Sequence, residues 1–232
     1  MEKIPTLFVR DFSARPAVVL PEVSQGCEWV INGEGEATRK YDGTCVMLDP
    51  AGQWWARREV KPGKTPPPNY VTIGTDEQTG KTVGWEPVAQ SAFAKIHAEA
   101  VKNTAIGKAS TYELLGPKIN KNPDGYADHV LMPHGWSILS IRQDFATAPR
   151  DYDGLREWLH ARPYEGIVWH RHPGHPNTEM VKIKASDFPS PEPTSQPDAS
   201  HVGWLGERSG RSDTPVIRFR EKSTSPAPPR PV

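Results

Sequence analysis

The sequence predicts an α+β chain built of twisted, mostly antiparallel sheets with few helices. Three observations carry that prediction. Short β-prone runs recur through residues 28–184, separated by Gly, Pro and Asn. Only two stretches, 88–102 and 153–161, show helical spacing of apolar residues. From residue 188 the composition shifts to Pro, Ser, Thr and Gly. The expected organisation is therefore one domain over 1–188 and a C-terminal extension over 189–232.

Residues 6–9 and 17–20 are short apolar pieces that suit a strand and a docking arm. Residues 28–31 read as a strand, 32–35 as a turn and 36–40 as the returning strand, a hairpin pattern. A Pro-Ala-Gly turn at 50–52 leads into a strand over 54–60. Residues 61–69 hold Pro62, Gly63 and three consecutive prolines, so they form a loop. Short strands follow at 71–74 and 82–85. In the helix predicted over 88–102, Ala89, Ala92, Phe93, Ile96, Ala100 and Val101 approximate one apolar face. Strands are expected at 110–115, 129–132 and 136–141. A short helix at 153–161 turns Leu155, Trp158 and Leu159 inward. A hairpin pairs 165–170 with 179–184 around a loop at 173–177. Beyond it, 189–211 reads as linker, 223–232 as a disordered tail, and 216–222 as a candidate docked strand that alternates apolar residues with Arg218, Arg220 and Lys222.

Charge bounds the partners. Lys plus Arg and Asp plus Glu each number 28, so no global cationic field draws in nucleic acid, and any such binding needs a local patch. The two cysteines, Cys27 and Cys45, have no C-x-x-C partner. The apolar runs are too short for a membrane span, and no signal peptide opens the chain. The expectation is a reduced, cytoplasmic protein that makes no membrane contact and has no obligate protein partner.

The stretch with the densest chemistry is KYDGTC at 40–45. On a strand Lys40 and Asp42 share a face, and Gly43 permits close backbone approach. An amine and a carboxylate beside a glycine suit covalent chemistry, although the same four residues also suit a hairpin edge. Downstream come YELLG at 112–116, EGIV at 165–168 and VKIK at 181–184. Lys182 and Lys184 share a strand face by their two-residue spacing. The histidines His170, His172 and His175, with His134, have spacings that could recruit a metal. The prolines around them favour solvated loop histidines instead. Trp54 and Trp55 are adjacent on one strand, so they face opposite sides; one could stack on a base.

This ordered set resembles the covalent nucleotidyltransferases. KYDGTC together with YELLGPKIN at 112–120 resembles the small ATP-dependent RNA ligases of phages and the vertebrate 5′-to-3′ RNA ligase. The resemblance spans roughly 33–188. It implies an adenylation domain whose sheets enclose a nucleotide cleft, ATP as AMP donor, and Mg²⁺ (or Mn²⁺) as cofactor. It implies a reaction that joins 5′-phosphate and 3′-hydroxyl RNA ends, or a nick, through lysyl-AMP. Lys40 matches the adenylated lysine, Asp42 the motif carboxylate, Glu113 the glutamate on ribose or metal water, and Glu165 the metal-site glutamate. Lys182 and Lys184 match the pair on the α-phosphate. Arg39, beside the nucleophile, is counted among the nucleotide-binding residues, and Arg57 or Arg58, with Arg58 preferred, matches the arginine on the ribose. Asp42, Glu113 and Glu165 would form the metal set. Fewer than fifty residues follow Lys184, too few for the OB-fold that most relatives carry there. Pyrophosphate would then need another holder: Arg57, Lys61 and Lys64, or Arg218, Arg220 and Lys222. A ligase for DNA or hybrid strands, and a catalytically silent RNA-end-binding module, are the alternatives.

Overall fold

Eleven strands and four helices are found among the described residues 3–77, 79–135, 139–173 and 178–189 of the computed structural model. In chain order they are β1 (Phe8–Asp11), β2 (Val18–Val23), α1 (Glu28–Ile31), β3 (Glu36–Lys40), β4 (Thr44–Leu48), β5 (Trp54–Val60), β6 (Val71–Thr75) and β7 (Thr82–Pro87). Then follow α2 (Ala94–Asn103), β8 (Ser110–Leu115), β9 (Val130–Pro133), α3 (Leu139–Ala146), α4 (Tyr152–His160), β10 (Gly166–His170) and β11 (Met180–Lys184). All of them belong to one unit, Met1–Ser190. The linker, tail and candidate strand at 216–222 lie outside the described residues.

Two sheets carry the architecture, and every paired strand in them is antiparallel. One runs β11-β10-β3, the other β6-β7-β5-β4-β8-β9. A separate hairpin pairs β1 with β2. The N-terminal segment adds to the small sheet through a parallel bridge between Thr6 and Lys182. This is the mixed, mainly antiparallel arrangement that the run of short strands predicts.

Each sheet buries one face, as alternating side chains require. Under the three-stranded sheet lie Ala37, Ile167, Trp169, Val181 and Ile183, packed with Phe145, Leu155 and Leu159 from α3 and α4 and with Trp29 and Val30 from α1. Under the six-stranded sheet, Val46, Ala56, Tyr112, Leu114 and Leu131 pack with Ala100 and Ile96 of α2. Burying each such large side chain contributes about 1.5–3 kcal/mol. The other face of each sheet is left for the cleft. No helix among the described residues is long and apolar enough to cross a membrane.

Three local predictions are corrected. Residues 28–31 form a helical turn, in which the consecutive residues Trp29 and Val30 are both buried, at 5% and 0% exposure. Arg150 holds the following turn by donating to the carbonyls of Val30, Glu34 and Gly35. Consequently β3 pairs with the distant β10 and makes no local hairpin. Residues 139–146 are helical where a strand over 136–141 was predicted, with 136–138 outside the described residues. Ile141 and Phe145 stand four apart, a helical spacing, and both reach the core. The helix predicted from residue 88 begins only at Ala94, after a 3₁₀ turn over Val88–Gln90. The Ser91 hydroxyl, which donates to the Val88 carbonyl and accepts from the Phe93 amide, closes that turn.

The register of the small sheet matters most for the site. Gly166 stands opposite both Lys40 and Lys184, Val168 opposite Thr38 and Lys182, and His170 opposite Glu36 and Met180. A Cβ on Gly166 would collide with the Ile183 carbonyl and stand 2.8 Å from the Lys184 Cα. Gly166→Ala should therefore destabilise the fold by about 1–3 kcal/mol, as overpacking does. Urea unfolding checks this through a lower midpoint at unchanged slope.

Candidate active site

A cleft of about 520 Å³ lies between the exposed faces of the two sheets. Its floor is the three-stranded sheet, with Lys40, Thr38, Val168, Lys182, His170 and Met180. Its roof is the six-stranded sheet, with Cys45, Arg57, Glu59, Val83 and Glu113. The turn after β9, Pro133 to Gly135, closes one side. Lys3, Asp76, Thr79 and Lys81 form a rim.

The floor brings together residues far apart in sequence. Lys40 Nζ donates to Glu165 Oε2 at 2.5 Å, and Lys184 Nζ reaches Glu165 Oε1 at 2.6 Å. One carboxylate thus bridges two lysines across Gly166. Lys182 is on the same face, one row along, and borders the cleft while making no ion pair among the described residues. Burial, then the charges of Lys40 and Lys184, push its amine down to about 8. Lys184 does not line the cleft but stands at its edge, fixed on Glu165.

On the roof, Glu113 stands opposite Cys45 in register. Its Oε2 is 2.8 Å from His134 Nε2, and His134 Nδ1 is 2.9 Å from Thr111 Oγ1. Arg57 projects into the cleft with a buried Nε that meets no acceptor among the described residues. Arg58, one residue on, points to the other face and pairs with Glu86 at 3.0 Å. The preference for Arg58 is thereby reversed: Arg57 is the arginine of the cleft. Cys45 is a half-buried thiol on the cleft wall, pushed up to about 12 by desolvation and by Glu113, which disfavours the reactive thiolate.

Other predicted positions need correction. Strand β3 ends at Lys40, so Asp42 is in a bend and does not share the strand face. Asp42 accepts from Asn120 Nδ2 at 2.9 Å, and the same amide donates to the Gly43 carbonyl. Asn120 adopts a left-handed backbone, φ 44°, which folds the 117–128 loop onto this bend. The two halves of the resemblance, KYDGTC and YELLGPKIN, therefore touch. Gly43 is required there: a Cβ would stand 2.5 Å from the Leu114 carbonyl and 2.7 Å from Glu113 Cγ. Arg39 borders the cleft, but its guanidinium pairs with Asp124 and stacks on Tyr41 and Tyr164 at 4.8 and 4.9 Å. It is spent on structure and not free for a nucleotide.

The predicted metal trio does not assemble. Asp42 is held by Asn120, Glu113 by His134 and Glu165 by two lysines, and only Glu113 lines the cleft. Among the described residues no group of three His, Cys, Asp or Glu is arranged to hold a metal ion. Mg²⁺ takes one or two carboxylates and prefers phosphate and water for the rest, so Glu113 alone fits a metal delivered with a triphosphate.

The histidines also differ from expectation. His170 is not a solvated loop residue; it ends β10 and is 8% exposed. Burial, followed by the nearby His134, pushes it down to about 4. His172 is exposed, and His175 lies outside the described residues. Both tryptophans of β5 are half-buried. Trp54 packs edge-on to His97 at 4.5 Å, and Trp55 donates to Asp49, so neither is presented to a base. The rim cations were missed: Lys3 pairs with Asp76 at 2.6 Å and Lys81 with Glu59 at 3.2 Å. Lys61 and Lys64 do not line the cleft, and Arg218, Arg220 and Lys222 lie outside the described residues.

Besides Arg39, which Asp124 neutralises, Lys3, Lys40, Arg57, Lys81 and Lys182 border the cleft against Glu59, Asp76 and Glu113, with Glu165 on Lys40, in a chain of zero net charge. A local excess of this kind attracts a compact polyanion. No protein-family model matches the chain, and no curated protein matches it in sequence.

Lys182 supplies a test of this electrostatic account. Its amine titrates near 8 when folded and near 10.5 when unfolded, so between those values the unfolded chain binds more protons and stability rises with pH. At pH 7 the charged lysine costs stability. Lys182→Met should therefore stabilise the protein at pH 7, by on the order of 1–3 kcal/mol. That gain should shrink as pH rises from about 8 to 10. Chemical denaturation at pH 7 and pH 10 checks both the sign and the trend.

Proposed function

We propose that the cleft binds ATP and that the protein is an ATP-dependent RNA ligase acting through Lys40. The observation that supports this most is the gathering of Lys40, Glu165, Lys182 and Lys184 at one end of one sheet, facing Arg57 and Glu113 on the other. Lys40 and Glu165 are 125 residues apart in the chain, and the fold brings their side chains into contact. Arg57 and Lys182 bring cationic groups to opposite walls and make no ion pair among the described residues, an arrangement that suits a phosphate chain.

In this reading Lys40 attacks the α-phosphate; an N–P bond forms and the bond to the bridging oxygen of pyrophosphate breaks. The ammonium of Lys40 must first lose a proton, and Glu165 Oε2, 2.5 Å away, is placed to accept it. Lys182 and Arg57 hold the α-phosphate oxygens and offset the growing negative charge. Lys3 and Lys81 on the rim are positioned for the leaving phosphates. Mg²⁺, when bound with the triphosphate and to Glu113, supplies charge neutralisation on the phosphate oxygens. The AMP then passes to the 5′-phosphate of an RNA end, which frees Lys40, and the 3′-hydroxyl of the second end displaces AMP.

The reading separates adjacent residues. Arg57→Ala should lower end-joining by about 10- to 100-fold, whereas Arg58→Ala should stay within about threefold of wild type. Chelation by EDTA should stop joining, and added Mg²⁺ should restore it. An assay on 5′-phosphate RNA with a 3′-hydroxyl acceptor checks these outcomes. Equal sealing of all-DNA ends would move the substrate to DNA. No joining of either, from folded wild-type protein with ATP and Mg²⁺, would overturn the reading.

A further inference from the structure

The floor of the cleft is chemically graded along its length. Lys40 with Gly166 and Lys184 forms the first row, Thr38 with Val168 and Lys182 the second, and Glu36 with His170 and Met180 the third. Four residues of strand separate the first row from the third, about 13 Å. Lysines are concentrated at one end, and an apolar side chain, an imidazole and the Glu36 carboxylate, paired with Arg142, at the other.

His170 is the anomaly at that far end. It is more than nine-tenths buried, borders the cleft and makes no hydrogen bond to any described residue. Its ring nitrogens are not among the sealed, unpartnered polar atoms of the described residues, so the ring edge is open to the cleft and free to bond a ligand or a water. The neighbouring His134 cannot serve, because Glu113 and Thr111 occupy both of its nitrogens. Gly135 runs beside the ring: a Cβ there would stand 3.4 Å from its Cε1, in ordinary contact. At neutral pH the ring is uncharged, since burial and His134 hold it near 4. An uncharged imidazole offers one donor and one acceptor, which suits a heteroaromatic edge and not a phosphate.

We propose that His170 is a specificity-determining residue whose ring edge hydrogen-bonds the nucleobase of a nucleotide lying along the floor, phosphates towards Lys40 and Lys182. This rests on the reading of the cleft as a nucleotide site, and it adds the direction of the nucleotide and the residue that reads its base. Val168 and Met180 beside the ring supply apolar surface for the rest of the base.

The test uses the full chain labelled with ¹⁵N-histidine, the His170 signals being identified by their loss in His170→Ala. AMP and adenosine should shift the His170 ring nitrogens, and ribose 5-phosphate, which lacks a base, should not. In lysine adenylation, His170→Ala should raise the KM for ATP about 10-fold or more while kcat changes less than about threefold. His170→Gln, which keeps a donor and an acceptor, should recover most of the loss. Ring signals unmoved by saturating AMP, or a folded His170→Ala with wild-type KM, would overturn the proposal. If the alanine variant does not fold, the glutamine variant identifies the signals and the AMP titration of wild type decides. AMP that shifts His170 in a protein that never labels Lys40 would sink the ligase reading alone; a labelled Lys40 beside a silent His170 would sink this one alone.

Discussion

Everything at the site depends on one carboxylate, Glu165, held between the amines of Lys40 and Lys184 across a glycine. The bridge is possible because β3 and β11 flank β10 in register and because Gly166 has no side chain to keep the lysines apart. Three like charges on one sheet face would repel; Glu165 offsets two of them, and Lys182, through its burial first and then the charges of Lys40 and Lys184, has a depressed affinity for its proton. The strained electrostatics are therefore confined to the cleft, while the opposite face of the same strands is apolar and closed by α1, α3 and α4.

The same economy governs the roof. Cys45 and Glu113 occupy positions that alternate with Val46, Tyr112 and Leu114, so the residues that anchor the sheet on α2 also fix the angle of the cleft-facing groups. The Glu113–His134–Thr111 chain holds the carboxylate from the side. The Asn120 loop pins the bend after Lys40 from outside. Rigid strands thus carry the chemical groups, and loops with unusual backbone geometry clamp them.

Much of this was legible in the sequence, and the reasons differ by residue. Two-residue spacing placed Lys182 and Lys184 on a common face, and their alternation with the buried Val181 and Ile183 made that reading secure. The strand containing Lys40 was legible, but its end was not: Asp42 leaves the sheet because Asn120 and Asp124 hold the bend, contacts made from about 80 residues away. Choosing between Arg57 and Arg58 needed the parity of β5 relative to the core, and Ala56 with its 1% exposure now sets it. His170 was misread because the prolines after it dominate the local pattern; counting four from Gly166 along the strand would have put it on the lysine face. The helical turn at 28–31 was hidden because two large apolar residues in succession suit a buried strand equally well.

The central claim is that Lys40 is a nucleophile made competent by its place on this sheet. Intact-mass measurement of the wild-type protein after incubation with ATP and Mg²⁺, followed by peptide mapping, tests it most directly. The account predicts a mass increase of one AMP, on the peptide that contains Lys40, labile to acid and stable to base as a phosphoramidate is. A folded protein that gains no AMP, or gains it on another residue, would contradict it.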